Sequence, residues 1–265
     1  PNLSRHKSRT LVRYHHELSH PLAMAPQPDR PLQDRGAQAP PEWGAALALL
    51  PIAATVVFYF LPSRLQDQLP IQFVPQLLGY LACVLWAANN PGPGLAARFG
   101  LKPDKLAPGI RPGLLVGCLL GGFNSFVILW CVPRLGHDIT FLTHTPHARM
   151  PVYLMLPWII CVIALFVEFN FRGFLLGRLQ TLGATTFGIG YPRLCSALAI
   201  AFSALAFSFD PFMTHTFRDL HWIALWDGVI WGMLQVAMRN LYVPITAHAA
   251  EVVVMYSVIR SALLE

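Results

Sequence analysis

Long apolar blocks with almost no charged residues, separated by short polar segments, dominate the pattern of this sequence. Most blocks approach the roughly 20 residues that a helix needs to cross about 30 Å of hydrocarbon, and they lack the alternating faces of soluble amphipathic helices. The pattern therefore predicts an all-α, polytopic transmembrane helical bundle with about seven spans. The predicted spans cover approximately residues 43–61, 70–88, 113–132, 151–171, 192–209, 221–238 and 241–263.

Composition agrees with this interpretation. The 265 residues are 55% hydrophobic and only 12% charged, whereas soluble domains carry about 25% charged residues. The formal charge of +6 is concentrated in the first third of the chain, and no basic helix with interleaved aromatic residues is present. We therefore expect the lipid bilayer as a partner, with basic residues at its head groups, and no nucleic acid.

The chain divides into two predicted regions. Residues 1–42 form a polar, basic, Pro-rich extension without the short apolar core of a cleavable signal peptide, and residues 43–265 form the membrane domain. With seven spans, fourteen of the 19 Lys and Arg residues fall on the same side as the extension. The positive-inside rule then predicts a cytoplasmic N-terminus and a C-terminus outside.

Metal and disulfide chemistry are not expected. The five cysteines lie in or beside apolar blocks and form no CxxC motif. His137, His144 and His147 share a loop but have no rigid ligand spacing. The sequence accordingly predicts no metal site and no cofactor. In the third span, Gly117, Gly121 and Gly122 predict close approach of a neighbouring helix.

An ionisable pair ends the fourth span. Glu168 and Arg172 are four residues apart and share one helix face after a long uncharged run. Buried charges at such a position either join helices as an ion pair or perform chemistry. His248, in the seventh span, is predicted at a similar depth, and Glu251 lies three residues further along the same helix. These four side chains are therefore expected to form one buried network, while Asp227 in the sixth span is expected to contact water, a head group or a neighbouring helix end.

Three segments carry a family resemblance. The segment 167–179 (VEFNFRGFLLGRL) is similar to a motif of the form EExxxRGxLxxxL, the segment 239–249 (RNLYVPITAHA) to NLWxPIxAHA, and the segment 203–209 (SALAFSF) to the start of SxxxFxxxH. These motifs are typical of the CAAX protease and bacteriocin-processing (CPBP, or Abi) intramembrane proteases. The resemblance implies a helical membrane endopeptidase in the bacterial inner membrane, with Glu168, Arg172 and His248 at family-matched positions.

In that family, the first Glu of the opening motif and the His of the second motif activate water, and the His and Asn of the last motif polarise the scissile carbonyl. This sequence departs from the pattern at three of those positions: Val167 replaces the first Glu, Pro211 the second-motif His, and Val252 the final Asn. Glu251 and Asp210 are the carboxylates nearest to the missing groups. They are candidate assisting residues.

Three hypotheses follow. The leading one is a catalytically degenerate CPBP-like protein that acts as a scaffold, assembly or accessory subunit among other membrane proteins. The second is an active intramembrane endopeptidase that uses Glu168 and His248 on a peptide substrate. The third is a subunit of an energy-converting complex in which buried histidines bind a pigment or haem.

Overall fold

The computed structural model describes residues 42–90, 92–188 and 190–264, and within these ranges the chain contains helices and no β-strand. The predicted all-α helical bundle is therefore confirmed. The predicted extension lies outside the described residues except for its last residue, Glu42. The Glu42 carboxylate accepts a hydrogen bond from Trp86 Nε1 at 2.7 Å and forms an ion pair with Arg178, whose Nε lies 3.0 Å from the same oxygen.

Nine α-helices of seven or more residues make up the bundle in the described part of the chain. In chain order they are α1 (Leu49–Phe58), α2 (Val74–Asn89), α3 (Leu106–Phe126), α4 (Ile160–Glu168), α5 (Leu176–Phe187), α6 (Pro192–Ser208), α7 (Pro211–Phe217), α8 (Ile223–Met238) and α9 (Tyr242–Leu264). Wide π-helical turns are found at Val127–Cys131, Met155–Ile159 and Phe169–Leu175. Shorter helical turns are Ala45–Ala48, Ser63–Gln66, Leu69–Gln72, Leu95–Arg98, Pro103–Lys105, Val132–Arg134, Thr140–His144, Pro146–Arg149, Val152–Leu154 and Arg218–Leu220.

Three helical runs of the described chain are long and apolar enough to cross a membrane: Pro103–Arg134, Ile160–Phe187 and Tyr242–Leu264. A fourth is added if α6 and the helix that follows it, bent by 53°, count as one span. The run Ala45–Phe58, α2 and α8 are shorter apolar helices. Each of the seven predicted segments overlaps one of these runs, so the apolar pattern located helices of an integral membrane protein. The number of seven crossings stays a prediction, because only three or four runs of the described chain are long enough to span a membrane.

The fourth predicted span differs most from the structure. The prediction ended it at residue 171, but the helix continues from α4 through the π-helical turn Phe169–Leu175 into α5. A π-helical turn absorbs one extra residue without ending the helix, and the side chains around Arg172 are buried rather than at a helix end.

Glycines determine how α3 and α9 meet. Gly109, Gly113, Gly117 and Gly121 recur every fourth residue on one face of α3. A Cβ atom at Gly113 would lie 2.7 Å from the carbonyl oxygen of Val243, and one at Gly121 would lie 2.8 Å from that of Glu251. The two backbones can therefore approach this closely only because these residues lack side chains. This contact fixes the position of α9, which carries His248 and Glu251.

The glycine prediction was correct for Gly117 and Gly121 but wrong for Gly122. Within the described chain, no atom of another element lies within 4 Å of a Cβ placed on Gly122. Gly122 lies about 100° around the helix from Gly121, so it is outside the face that packs on α9.

Candidate functional site

Glu168 is the centre of a buried polar group. It is the last residue of α4 and its side chain has no exposed surface. One carboxylate oxygen, Oε1, accepts hydrogen bonds from Arg172 Nη1 at 3.2 Å and from His248 Nδ1 at 2.9 Å. The structure thus brings together the three side chains at the family-matched positions and joins the π-helical turn to α9.

Aromatic rings enclose the Arg172 guanidinium. Its central carbon lies 4.6 Å from the ring centre of Phe207 and 5.0 Å from that of Trp231, both within the range of cation–π contact. The indole of Trp231 in turn stacks on the His248 imidazole, with ring centres 4.4 Å apart and planes inclined by 19°. Arg172 therefore contacts rings of α6 and α8 while it pairs with the Glu168 carboxylate. An ion pair with such contacts holds helices together.

A second buried polar group lies beside the first. The amide nitrogen of Asn124, in α3, donates to Glu251 Oε1 at 2.7 Å and to the Asp227 carboxyl oxygens at 3.1 and 3.2 Å. The amide oxygen of Asn124 accepts a hydrogen bond from Trp226 Nε1 at 3.0 Å. Two carboxyl groups in α8 and α9 are therefore held by one amide, and a proton shared between them would relieve their repulsion.

This arrangement corrects two expectations. Glu251 bonds to Asn124 rather than joining the hydrogen bonds of Glu168, because three residues along α9 turn its side chain about 60° away from His248 and towards α3. Asp227 is buried, with 4% of its surface exposed, rather than in contact with water or a head group. Asn124 was missed altogether, since a single amide in an apolar span has no partner that the sequence identifies.

A cavity of about 210 Å³ adjoins both polar groups. Its lining includes Asp227, Trp231, His248 and Glu251, and most of the remaining wall is apolar. Its wall reaches the surface near Leu264, which is 48% exposed. Among the described residues, Glu168 and Arg172 do not form part of this wall.

Of the three positions that depart from the family motifs, two line the cavity and the third, among the described residues, does not. Val167 and Val252 both line it. Pro211 is buried in the first turn of α7, where its missing N–H leaves no hydrogen bond unmade.

Asp210 has a structural role and is not part of the cavity wall in the described chain. One of its carboxyl oxygens accepts a hydrogen bond from the Phe212 N–H at 3.1 Å, so it caps α7. The same oxygen accepts from Gln76 Nε2 at 3.0 Å, which ties this bend in the chain to α2. Asp210 is therefore not brought to the Glu168 site.

The described part of the chain holds no group of three or more His, Cys, Asp and Glu side chains arranged to bind a metal ion. Of the loop histidines, His144 is exposed, whereas His147 stacks on Phe217 with ring centres 5.9 Å apart. His248 is engaged by Glu168 and Trp231.

The fold and the site together define a class: a helical integral membrane protein with a buried acid–imidazole pair beside an apolar cavity. Residues 149–254 match the family model described as type II CAAX prenyl endopeptidase Rce1-like, which confirms the resemblance to the CPBP family. The match covers less than half of the chain but contains all three motif segments. No match was found among curated proteins or among solved structures.

Proposed function

We propose that this CPBP-type membrane protein is catalytically silent and acts by binding, as a scaffold, assembly or accessory subunit of a larger membrane complex. The proposal rests on one observation, namely which side chains line the cavity at the motif positions. Val167 and Val252 line the cavity where the family resemblance calls for the water-activating Glu and the carbonyl-binding Asn. An isopropyl group neither accepts a proton nor donates a hydrogen bond, so both functions are missing there.

The placement of Glu168 supports the same proposal. A general base must lie within hydrogen-bond reach of the water from which it takes a proton. Glu168 is fully buried, its Oε1 is held by two donors, and it does not form part of the cavity wall among the described residues. Its contacts are those of a residue that joins α4 to α9. Removing one partner of such a buried pair destabilises a protein strongly, which explains its presence without catalysis.

A peptidase assay tests the catalytic half of the proposal. The full chain, in detergent and in vesicles, would be incubated with a lipidated C-terminal peptide and with a leader peptide, beside an active CPBP protease as positive control. We expect no cleavage by the protein or by its Glu168→Gln variant. Cleavage by the parent would contradict the proposal, whether or not Glu168→Gln retains it.

Isolation from native membranes tests the binding half. In a mild detergent we expect the protein to elute as a complex with other membrane proteins in fixed stoichiometry. A protein that elutes alone and monodisperse at several detergent concentrations would count against a subunit role.

One observation favours an active peptidase as the second candidate. Asp227, His248 and Glu251 all line the cavity, so a carboxyl group and an imidazole face the same space even though Glu168 does not. In this case the carboxyl pair takes the proton from water, and His248 polarises the carbonyl through Nε2–H, which requires the doubly protonated ring because Nδ1–H bonds to Glu168. A Glu251→Gln variant would then lose cleavage while Glu42→Gln, at a distant carboxylate, would keep it.

A further inference from the structure

A second, smaller cavity lies beside the bend between α6 and α7, and we call it the bend cavity. Its volume is about 10 Å³, which is room for a single water-sized species. Four segments supply its polar wall residues: Thr55 comes from α1, Gln76 from α2, Asn170 from the π-helical turn Phe169–Leu175, and Asp210 from the bend itself. Gln76 also lines the larger cavity, so the two spaces are neighbours.

Asp210 is the ionisable residue in the described wall of the bend cavity, and it is 1% exposed. The hydrogen bonds that its carboxylate accepts from Gln76 Nε2 and from the Phe212 N–H come from neutral groups. Within the described chain, no side-chain nitrogen of Lys, Arg or His lies within 4 Å of its oxygens. A buried carboxylate without a counter-charge is strongly destabilising. The Asp210 carboxyl group therefore needs a cation or a proton beside it.

The Asn170 side chain supplies a neutral oxygen to the same space. Asn170 is 3% exposed, lines the bend cavity and makes no side-chain hydrogen bond among the described residues. Its amide is packed on α2, since a Cβ atom at Gly79 would lie 2.6 Å from Oδ1. A buried amide without a partner is costly, so an occupant that contacts its oxygen stabilises the fold.

The bend also changes the hydrogen bonds at the end of α6. In an uninterrupted α-helix the Asp210 N–H would donate to the Ala206 carbonyl. It donates instead to the Phe207 carbonyl at 3.2 Å, and the Phe209 N–H donates to that of Leu205 at 2.9 Å. The carbonyl of Ala206, which is also a wall residue, thereby loses its α-helical partner. Carbonyl ends of broken helices carry partial negative charge and bind sodium in membrane transporters.

We propose that the bend cavity binds one sodium ion. The Asp210 carboxylate supplies the negative charge, and the neutral ligands are the amide oxygens of Asn170 and Gln76, the Thr55 hydroxyl and the Ala206 carbonyl. Such hard cations prefer oxygen ligands. A single carboxylate matches a single positive charge, and the larger potassium ion exceeds a cavity of about 10 Å³.

The bound ion would join α1, α2 and the π-helical turn to the 53° bend between α6 and α7. This inference goes beyond the proposed function, because it requires neither a partner protein nor cleavage. It also uses one carboxylate with neutral oxygens, which is a different arrangement from a cluster of His, Cys, Asp and Glu ligands.

Ion-dependent stability tests the proposal on the unmodified protein. The full chain would be purified in detergent without sodium, and its thermal unfolding followed in sodium, potassium and choline chloride at equal ionic strength and near pH 7.5. A ligand that binds only the folded state raises its stability. We expect sodium to raise the unfolding midpoint by several degrees in a saturable manner, and potassium to act like choline. Equal midpoints in the three salts would overturn the proposal and leave the cavity to water and a protonated carboxyl group.

Equilibrium dialysis with radioactive sodium gives a readout that does not depend on unfolding. We expect one displaceable ion per chain at saturation. The absence of saturable binding would likewise overturn the proposal.

Two variants test the location of the ion. Asp210→Asn keeps an oxygen that can accept from the Phe212 N–H but removes the charge, so the sodium-dependent shift should disappear. The matched control is Asp67→Asn, at a carboxylate whose side chain is 74% exposed, and it should keep the shift. A shift that survives in Asp210→Asn would place the ion elsewhere, such as at Asp227 and Glu251, and would contradict the assigned site.

The second variant, Asn170→Leu, removes one neutral ligand at similar side-chain size and leaves the charge of the site unchanged. We expect sodium affinity to fall about tenfold, the effect of losing one buried polar contact. An unchanged affinity in the dialysis measurement would contradict the role of this amide.

Discussion

At the scale of single residues, Glu168 Oε1 links three segments of the chain through two hydrogen bonds. The Arg172 guanidinium that shares this oxygen is itself 1% exposed and surrounded by rings. A positive charge in such surroundings depends on its counter-charge, because water cannot replace the lost interaction.

We therefore expect Glu168→Gln to lower the free energy of unfolding by about 3–5 kcal/mol, since it leaves Arg172 buried without a negative partner. Unfolding in a graded detergent series would measure the change. Asp104→Asn, at an exposed carboxylate, is the matched control and should change stability by about 0.5 kcal/mol or less. A Glu168→Gln protein as stable as its parent would show that the ion pair does not hold the helices.

His147 should make stability depend on pH. Burial lowers the pKa of His147 below its usual range. As the pH falls below about 6.5, the unfolded chain takes up a proton at this position before the folded chain does, so stability is lost towards low pH. We expect the loss of thermal stability between pH 7.5 and pH 5 to be smaller in His147→Phe than in the parent. His144→Phe, which removes an exposed imidazole from the same loop, is the matched control.

Part of the site could be predicted from residue spacing. Glu168 and Arg172 are one helical turn apart, so their contact is local, and the depth of His248 in its span placed it near them. The pairing of Asn124 with Asp227 and Glu251 depends on how three separate helices are rotated about their axes. Apolar blocks contain no information about that rotation, since every face of these helices is hydrophobic.

At the scale of elements, the contact between α3 and α9 relies on missing side chains. A Cβ at Gly117 would collide with the carbonyl oxygen of Ala247 and would lie 2.8 Å from the Ala250 Cβ. Neither neighbour is a flexible side chain that can move aside. Helix association in a membrane is driven largely by such close packing.

The two glycine substitutions should therefore have opposite signs. Gly117→Ala should destabilise the protein by about 1–3 kcal/mol, because α9 must shift. Gly122→Ala meets open space in the described chain and should be neutral or stabilise by up to about 1 kcal/mol through helix propensity. The same unfolding series would compare them, and equal effects would contradict the packing described for this helix pair.

The positions of helices were easier to predict than their ends. Apolar blocks mark the helices because hydrocarbon excludes unpaired backbone groups. The continuation of α4 into α5 was missed, since a π-helical turn such as Phe169–Leu175 has no simple sequence signature and ordinary helix boundaries are expected where polar residues begin. Likewise, the only sequence signal for the bend at Asp210 was Pro211, which follows an apolar run.

At the scale of the whole molecule, the arrangement of basic residues predicts one orientation in the membrane. The loop containing Lys102 is expected inside, and the loop containing Leu135, which is 75% exposed, is expected outside. Single cysteines would be introduced at these two positions in a background without the five natural cysteines.

A membrane-impermeant maleimide should label Leu135→Cys in intact cells and Lys102→Cys only after lysis. The reverse pattern would show that the molecule is inserted the other way round. Labelling of both sites in intact cells would mean that the number of crossings between them is even.

Helix α9 contacts α3 on one side and lines the cavity on the opposite side. One side, including Val243, Ala247, Ala250 and Val254, packs on the glycines of α3, while the side that carries Val252 and Ile259 lines the cavity. Turning the helix to offer the cavity a new set of side chains would force bulky groups into the glycine contact. Evolutionary change in what the cavity accepts must therefore proceed by replacing individual side chains, with the helix held at a constant angle.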